Sequence, residues 1–274
     1  MILVEAHGAR IPAVGLGTMT LKDALCVDIV ATALKLGYRH LDTAERYGNE
    51  AEVGQGLHSS GIKREDVFVT TKVYWDRLAP GEFERSVEES LKKLKLSSVD
   101  LLLIHWPSPK VALKDSIGAL CQAKRAGLTK HVGVANFTVP MIEEAVQLAS
   151  EPLVTNQIEV HPYLDQTKVI AACRRHELSV TAYCPLARGK VPGDEMLIRI
   201  GKAHGKSASQ VVLRFLVQQG LIVIPRTSNR ARLAENLAIF DFKLTDQEMT
   251  EIAGLKRPDG RVVNPPHAPQ WDAA

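Results

Sequence analysis

The chain has 274 residues, of which 45% are hydrophobic and 24% are charged, and its formal net charge is +3. This length allows a substantial core, and the small net charge without a basic stripe argues against a nucleic-acid partner. No run of about 18 apolar residues occurs, so we expect neither a signal peptide nor a membrane span. The four cysteines are scattered without a CxxC pair, which favours reduced thiols, no bound metal and a cytoplasmic location.

Short apolar, β-rich runs alternate with segments of helical periodicity along the chain. The predicted strands are residues 14–17, 39–43, 67–72, 99–105, 131–136, 154–159, 179–185 and 221–225. The predicted helices are residues 22–36, 49–60, 80–94, 113–126, 139–149, 167–175, 195–204, 207–219 and 230–240. Eight strand–helix repeats without a linker predict one α/β domain over residues 1–274, a (β/α)8 TIM barrel.

A doubly wound parallel sheet has the same alternation and is the main competing fold. The run VDLLLIH, residues 99–105, is apolar on both faces, as parallel strands covered by helices are in either fold. A dinucleotide-binding doubly wound sheet usually carries three glycines after its first strand. Gly15 and Gly17 are not followed by the third glycine, and the barrel is therefore favoured.

Two further secondary-structure elements are predicted outside the eight strand–helix repeats. Residues 2–11 predict an N-terminal β-hairpin with Gly8 at its turn. The pattern T-D-Q-E from Thr245 predicts a capped extra helix over residues 246–255. The tail that starts at Arg257 contains four prolines, so we expect it to be irregular.

Functional residues of a barrel gather at the carboxyl ends of its strands. Asp42, Lys72 and His105 stand at three successive predicted strand ends, and Tyr47 follows Asp42 by five residues. A lysine at the end of an apolar strand needs a buried counter-charge, and Asp42 is the obvious partner. Taken singly, these residues are also compatible with a buried Asp–Lys pair beside a bystander tyrosine and a core histidine.

Eight ordered segments carry a resemblance to a known family. They are GLGT (15–18), LDTAERYGNE (41–50), TTK (70–72), LLLIHWPSP (101–109), VGVANF (132–137), NQIEVHP (156–162), AYCPLARG (182–189) and IPRTSN…ENL (224–237). Through them the chain resembles the aldo-keto reductases, most of all the prokaryotic 2,5-diketo-D-gluconate reductase-like members. The resemblance implies a monomeric, NADPH-dependent oxidoreductase that reduces small aldehydes and ketones, of the diketo-gluconate or methylglyoxal type, to alcohols.

The resemblance also implies that Asp42, Tyr47, Lys72 and His105 form the catalytic group, with Tyr47 as the general acid. A free phenol has a pKa of about 10, which makes it a poor donor near neutrality. We expect a charged Lys72 to lower that pKa and Asp42 to keep the lysine charged and oriented. His105 is expected to orient the substrate carbonyl.

For the cofactor, the resemblance implies that Asn136 and Gln157 bind the nicotinamide carboxamide and that Tyr183 stacks on the ring. The family usually has serine before the asparagine, whereas this chain has Ala135. One hydrogen bond to the carboxamide is therefore expected to be missing, which would loosen the cofactor without abolishing its binding.

The segment after the eighth strand has the features of a phosphate site. Thr227 and Ser228 offer hydroxyl and amide donors before a predicted helix, while Arg226 and Arg232 are placed to hold the adenosine 2′-phosphate and favour NADP over NAD. Further contacts implied by the resemblance come from Gly17, Thr18, Asp42, Leu186, Glu235 and Asn236.

The substrate pocket follows less directly from the sequence. The implied lining residues are Met19, Tyr47, Trp75, His105, Trp106 and Trp271. The short tail and the compact loop at residues 107–110 predict an open site for small polar carbonyls.

Two other functions remain compatible with the barrel. One is a cofactor-binding regulatory protein that has lost turnover, although Tyr47 and Lys72 are both retained. The other is a non-redox enzyme that uses Lys72 as a Schiff-base nucleophile. The phosphate features after the eighth strand argue against the second.

Overall fold

An antiparallel hairpin begins the part of the chain that the computed structural model describes, residues 2–272. Its strands are β1 (Leu3–Ala6) and β2 (Ala9–Pro12). His7 and Gly8 connect them with φ values of 44° and 83°, the positive φ at both positions that a type I′ turn requires. The predicted N-terminal hairpin is confirmed.

Eight parallel strands follow and close into a barrel. They are β3 (Leu16–Gly17), β4 (His40–Asp42), β5 (Phe68–Val73), β6 (Val99–Ile104), β7 (Thr129–Ala135), β8 (Leu153–Glu159), β9 (Ser179–Tyr183) and β10 (Ile222–Val223). The last strand returns to the first, because the amide of Gly15 donates to the carbonyl of Val223 and the amide of Val223 donates to the carbonyl of Ala13, each at 2.8 Å. The predicted (β/α)8 barrel is confirmed.

Helices connect successive strands and cover the outside of the barrel. In residues 2–272 they are α1 (Asp23–Leu36), α2 (Glu50–Ser59), α3 (Glu82–Leu94), α4 (Leu113–Arg125), α5 (Val139–Leu148), α6 (Thr167–Arg175), α7 (Glu195–His204), α8 (Ala208–Gln218), α9 (Arg230–Leu237) and α10 (Asp246–Ala253). The extra helix α10 begins at the predicted cap, where Thr245 and Glu248 form a reciprocal capping box. Across these helices, none is long and apolar enough to cross a bilayer.

The hairpin closes one end of the barrel. Ala9 and Ile11 pack with Leu101, Leu103 and Ile222 in an apolar cluster inside the barrel. This packing excludes water from the end where the strands begin. The carboxyl ends of the strands are left as the open mouth.

Five of the eight strands, β4, β6, β7, β9 and β10, end one or two residues earlier than predicted, and two of these ends have a positive φ at the mouth. β7 ends before Asn136 and β9 ends before Cys184, which have φ values of 64° and 47°. A residue in the left-handed region turns the backbone out of the sheet and stops the pairing. The predicted helix 230–240 also ends early, at Leu237, because the backbone leaves helical geometry at Ala238.

Candidate active site

A buried ion pair lies beneath the mouth. The Nζ of Lys72 donates to Oδ1 of Asp42 at 2.6 Å and to the carbonyl of Thr43 at 2.8 Å, and the lysine side chain has no solvent exposure. The other carboxylate oxygen of Asp42 accepts a hydrogen bond from Nε2 of Gln157 at 2.8 Å. Burial lowers the pKa of Lys72, and the carboxylate of Asp42 opposes that shift.

The rings of Tyr47 and His105 meet above this pair. Tyr47 ends a short 3₁₀ turn after β4, and His105 follows β6 directly. Their ring centres are 5.6 Å apart in an edge-to-face arrangement, and the Nζ of Lys72 is 5.2 Å from the centre of the tyrosine ring. The fold therefore brings the four predicted catalytic residues together.

The pKa of Tyr47 departs from its ordinary value in the direction opposite to the one expected from the sequence. Burial raises the pKa of this phenol well above its usual range, and the carboxylate of Asp42 and the nearby thiol of Cys184 raise it further. Lys72 donates hydrogen bonds to Asp42 and Thr43, and its charge does not outweigh burial and the carboxylate. Tyr47 thus keeps its proton at neutral pH, as a proton donor must.

Burial lowers the pKa of His105 well below its usual range, and the charges of Lys72 and His267 lower it further. Its Nδ1 is buried without a hydrogen-bond partner in the described part of the chain. The imidazole is therefore neutral near neutral pH, with one ring nitrogen able to donate and the other able to accept.

A neutral His105 leads to a prediction on pH dependence. For the carbonyl reduction that the family resemblance implies, kcat should show no inflection at about pH 6.5, the ordinary histidine pKa, because the folded-state pKa lies below that value. Initial rates at saturating substrate between about pH 5.5 and 8 measure this. A loss of kcat on acidification that is centred near pH 6.5 would contradict the assignment.

One cavity of about 890 Å³ occupies the mouth, a volume typical of a small-molecule site. The predicted residues that line it are Gly17, Thr18, Met19, Asp42, Tyr47, His105, Trp106, Asn136, Gln157, Tyr183, Leu186, Arg226, Thr227, Arg232, Glu235 and Asn236. The predicted residues outside its wall are Lys72, Trp75, Ser228 and Trp271.

Two amide side chains are held in place between the catalytic group and β9. The hydroxyl of Tyr183 donates to Oδ1 of Asn136 at 2.7 Å, and Nδ2 of Asn136 donates to the carbonyl of His105 at 2.9 Å. Gln157 is fixed through its bond to Asp42. These bonds orient both amides before any ligand arrives.

Ala135 precedes Asn136 but does not take part in the cavity wall. Its methyl group is buried in the barrel interior with Leu101 and Leu103. The side chain has no hydrogen-bonding group, so this position offers a ligand nothing beyond its backbone.

The far side of the cavity carries two exposed arginines. Neither Arg226 nor Arg232 forms an ion pair with a carboxylate within residues 2–272. They flank the start of α9, which Asn229 caps through a 2.9 Å bond from the amide of Ala231. Among the described residues these two guanidinium groups have no carboxylate partner, although the Nε of Arg226 donates to the carbonyl of Met19 at 3.2 Å. Beside a helix N-terminus they suit a phosphate, and the residues present therefore fit a phosphorylated dinucleotide.

Trp75 and Trp271 support the cavity wall from behind. Trp271 packs edge-to-face on Trp106 at 6.0 Å between ring centres, and Trp75 lies 5.3 Å from the ring of His267. His267 also contacts Trp106 and Tyr74. The predicted aromatic character of this side is thus present, but Trp106 and Tyr74, rather than Trp75 and Trp271, line the cavity.

Among the cavity residues that the sequence analysis missed are Arg46, Tyr74, Val263 and Pro265. Arg46 and Tyr74 follow strand ends, so the strand-end rule could have found them. Val263 and Pro265 lie in the tail, and no periodicity in the sequence indicates where the tail runs.

Comparison with known proteins decides the family. Residues 13–257 match the family model described as the Aldo/keto reductase family. The chain belongs to this family. This aldo-keto reductase is 42% identical over 266 residues to methylglyoxal reductase DkgB of Escherichia coli O157:H7, which covers 96% of the chain and 99% of that protein.

Solved structures agree with the family assignment. A crystal structure provisionally assigned as 2,5-diketo-D-gluconic acid reductase B superimposes with a TM-score of 0.98 at 52% identity and covers 100% of this aldo-keto reductase and 98% of the other chain. The Bombyx mori aldo-keto reductase in complex with NADP superimposes with a TM-score of 0.87 at 35% identity, covering 93% and 92% of the two chains.

A buried carboxylate at the end of β8 fixes the tail of this aldo-keto reductase over the mouth. Glu159 has no solvent exposure, and its two oxygens accept hydrogen bonds from the amides of Val262 at 2.6 Å and Val263 at 2.9 Å. The Nε2 of His161 lies 2.9 Å from the first of these oxygens. Glu159 thereby sets the position of Val263, which lines the cavity.

Two further contacts hold the tail at its ends. The carboxylate of Asp272 accepts a hydrogen bond at 3.0 Å from the amide of Val139, the first residue of α5. The amide of Arg257 donates to the carbonyl of Tyr163 at 3.1 Å, and its guanidinium group lies over the tyrosine ring. The irregular tail is therefore a fixed part of the cavity wall.

Replacing Glu159 with glutamine tests this role. The amide NH₂ of glutamine would face a backbone amide of the tail, which leaves one donor unsatisfied at a cost of about 1–3 kcal/mol. We expect a lower free energy of unfolding and a KM raised several-fold, with kcat less affected. Urea unfolding and steady-state kinetics measure both, with the exposed Glu144→Gln as the control. Wild-type KM and stability in Glu159→Gln would contradict the role.

Proposed function

We propose that this aldo-keto reductase reduces small aldehydes and ketones to alcohols with NADPH, with Tyr47 as the proton donor. One observation carries the proposal. A single cavity has a protonated phenol and a neutral imidazole at one side and two arginines free of carboxylate partners at the other. The family membership and the NADP complex of the Bombyx mori relative support the choice of cofactor.

The residues proposed to hold NADPH form two groups, one at the nicotinamide and one at the 2′-phosphate. Asn136 and Gln157 would bind the carboxamide beside the ring of Tyr183, while Arg226 and Arg232 would hold the 2′-phosphate. The further residues proposed to contact it are Gly17, Thr18, Asp42, Leu186, Thr227, Ser228, Glu235 and Asn236. When bound, NADPH supplies the hydride that reduces the carbonyl carbon.

The protein's own residues act on the carbonyl oxygen. A ring nitrogen of His105 donates a hydrogen bond that orients and polarises the carbonyl, and the hydroxyl of Tyr47 gives its proton to the oxygen. The phenolate that forms is stabilised by Lys72, whose charge lies 5.2 Å from the ring centre. Asp42 keeps that charge in place through the 2.6 Å bond.

Small dicarbonyls or diketo acids are the proposed substrates. The relatives named as methylglyoxal reductase and diketogluconate reductase support this class. The side of the cavity near Tyr47 is lined by Met19, Tyr74 and Trp106, which together leave room for a compact substrate beside the catalytic pair. We also propose a cytoplasmic monomer, which four free cysteines and a cavity built from one chain support.

A Schiff-base mechanism through Lys72 is not favoured. Its amine is fully buried, lies outside the cavity wall and is held by two hydrogen bonds. A substrate carbonyl carbon has no access to it. Borohydride treatment in the presence of substrate should therefore leave Lys72 unmodified.

Turnover of a panel of carbonyl substrates tests the proposed function. Purified protein should consume NADPH with methylglyoxal, sugar-derived ketones or aromatic aldehydes, and kcat/KM across the panel ranks the substrates. Tight NADPH binding without consumption on any member would instead favour a regulatory barrel without turnover.

Selectivity for NADPH over NADH should depend on Arg232. In Arg232→Ala the Kd for NADPH should rise about tenfold to a hundredfold, because a charge-assisted contact to the 2′-phosphate is lost, while the Kd for NADH should change little. Fluorescence titration with both cofactors measures this. Arg230→Ala is a matched control, since Arg230 pairs with Asp28 instead. Equal losses for the two cofactors would contradict the assignment.

A further inference from the structure

The cavity has a marked excess of positive charge. The basic residues of its described wall are Lys22, Arg46, Arg188, Arg226 and Arg232, and the acidic ones are Asp42 and Glu235. Neither acid is free, because Asp42 pairs with Lys72 and Glu235 accepts a hydrogen bond from the hydroxyl of Ser207. The excess positive charge therefore attracts anions to the cavity.

Most of these cations lie away from the reacting carbonyl. Arg226 and Arg232 follow β10 and Arg188 follows β9, on the part of the barrel opposite β6 and His105. Lys22 precedes α1 and donates to the carbonyl oxygen of Tyr47. The remaining cation of the described wall, Arg46, stands next to Tyr47 in the chain.

The guanidinium group of Arg46 is oriented but has no counter-charge. It lies 5.2 Å from the ring centre of Tyr74, which in turn packs edge-to-face on His105 at 5.6 Å. The neighbouring Glu45 bonds to Arg77 at 2.7 Å, and Arg46 has no carboxylate partner within residues 2–272. An exposed cation is thus held on the cavity wall by an aromatic ring that packs against His105.

We propose that Arg46 determines specificity by binding the carboxylate of anionic carbonyl substrates. The proposal rests on the proposed function and narrows its substrate class to aldehydes and ketones that carry a carboxylate a few bonds from the carbonyl. A guanidinium fork matches a carboxylate in two parallel hydrogen bonds, which a neutral dicarbonyl cannot reproduce. Arg46 would therefore favour keto acids over neutral carbonyls of similar size.

A matched pair of four-carbon aldehydes tests this with NADPH: succinic semialdehyde, which is anionic, and butanal, which is neutral. The ratio of kcat/KM for the acid to that for butanal should fall about tenfold in Arg46→Met, mainly through KM, because one charge-assisted contact is lost. Arg46→Lys keeps the charge but not the two parallel hydrogen bonds, so its ratio should lie between those of the wild type and Arg46→Met. The control Arg10→Met, on the hairpin at the other end of the barrel, should leave the ratio unchanged.

Three possible results distinguish a failure of the Arg46 proposal from a failure of the proposed function. If Arg46→Met lowers kcat/KM equally for both aldehydes, Arg46 acts through Tyr74 on packing and the proposal is wrong. If it instead weakens NADPH binding in a fluorescence titration, Arg46 belongs to the cofactor site and the proposal is also wrong. If the wild-type protein reduces neither these aldehydes nor any other carbonyl, the proposed function itself fails.

Discussion

Replacing Tyr47 with phenylalanine should lower kcat for carbonyl reduction by about 10²–10⁴-fold, since the hydroxyl that protonates the oxygen is removed. The ring itself is kept, so its contacts with His105 and Lys72 at 5.6 and 5.2 Å are preserved. The loss should therefore appear in kcat, while the Kd for NADPH stays near the wild-type value. Steady-state kinetics with methylglyoxal and a fluorescence titration measure the two quantities.

A second tyrosine provides the matched control. Tyr163 also has a hydroxyl with a raised pKa, but it donates to Asp194 at 2.9 Å, outside the cavity wall. Tyr163→Phe should reduce carbonyls at close to the wild-type rate. A kcat equal to the wild-type value in Tyr47→Phe would show that Tyr47 is not the proton donor, with either result for Tyr163→Phe.

Replacing Lys72 with methionine should be costly for both folding and turnover. Asp42 would remain buried with Gln157 as its hydrogen-bond donor and no counter-charge, and breaking a buried pair in this way costs about 3–5 kcal/mol. The phenolate formed on Tyr47 would also lose its nearest positive charge, so kcat should fall by at least about 10²-fold. Urea unfolding and single-turnover rates measure the two effects separately.

The double variant Lys72→Met with Asp42→Asn separates charge from packing. Removing both charges leaves neutral groups of similar size, so part of the lost stability should return. Activity should not return, because the charge near Tyr47 is still absent. Equal unfolding free energies for the wild type and Lys72→Met would contradict the account of the buried pair.

Much of the fold and the catalytic group could be predicted because both depend on local pattern. Alternating apolar runs and helices specify a parallel barrel, and a parallel barrel brings its strand ends together. Asp42, Lys72 and His105 could therefore be placed at one mouth from their positions alone. Tyr47 lies in a loop, and its role depended on the family resemblance.

The direction of the Tyr47 pKa could not be predicted, because it depends on burial and on distances between side chains. The expected lowering of the Tyr47 pKa by Lys72, held charged by Asp42, left out the cost of burying the phenol. In the structure that charge is bonded to Asp42 and Thr43, and burial dominates. A sequence gives the identity of such neighbours but not the balance between them.

The path of the C-terminal tail was the other feature that the sequence could not predict. Glu159 binds Val262 and Val263 across more than a hundred positions, as the separations of 103 and 104 residues show. Contacts at such separations leave no periodic signal in an irregular, proline-rich segment. The same reason explains why Trp271 was expected in the cavity wall and instead packs behind Trp106.

The most direct test of carbonyl reduction by hydride transfer from NADPH traces the transferred hydrogen with deuterium. Wild-type protein is given methylglyoxal with NADPH that carries deuterium on one or the other face of nicotinamide C4, and the alcohol is analysed by mass spectrometry. Reduction by hydride transfer predicts one deuterium on the new carbinol carbon per NADPH consumed, from one of the two labelled forms. An alcohol without deuterium from either form, or NADPH that binds and is never consumed, would contradict the claim.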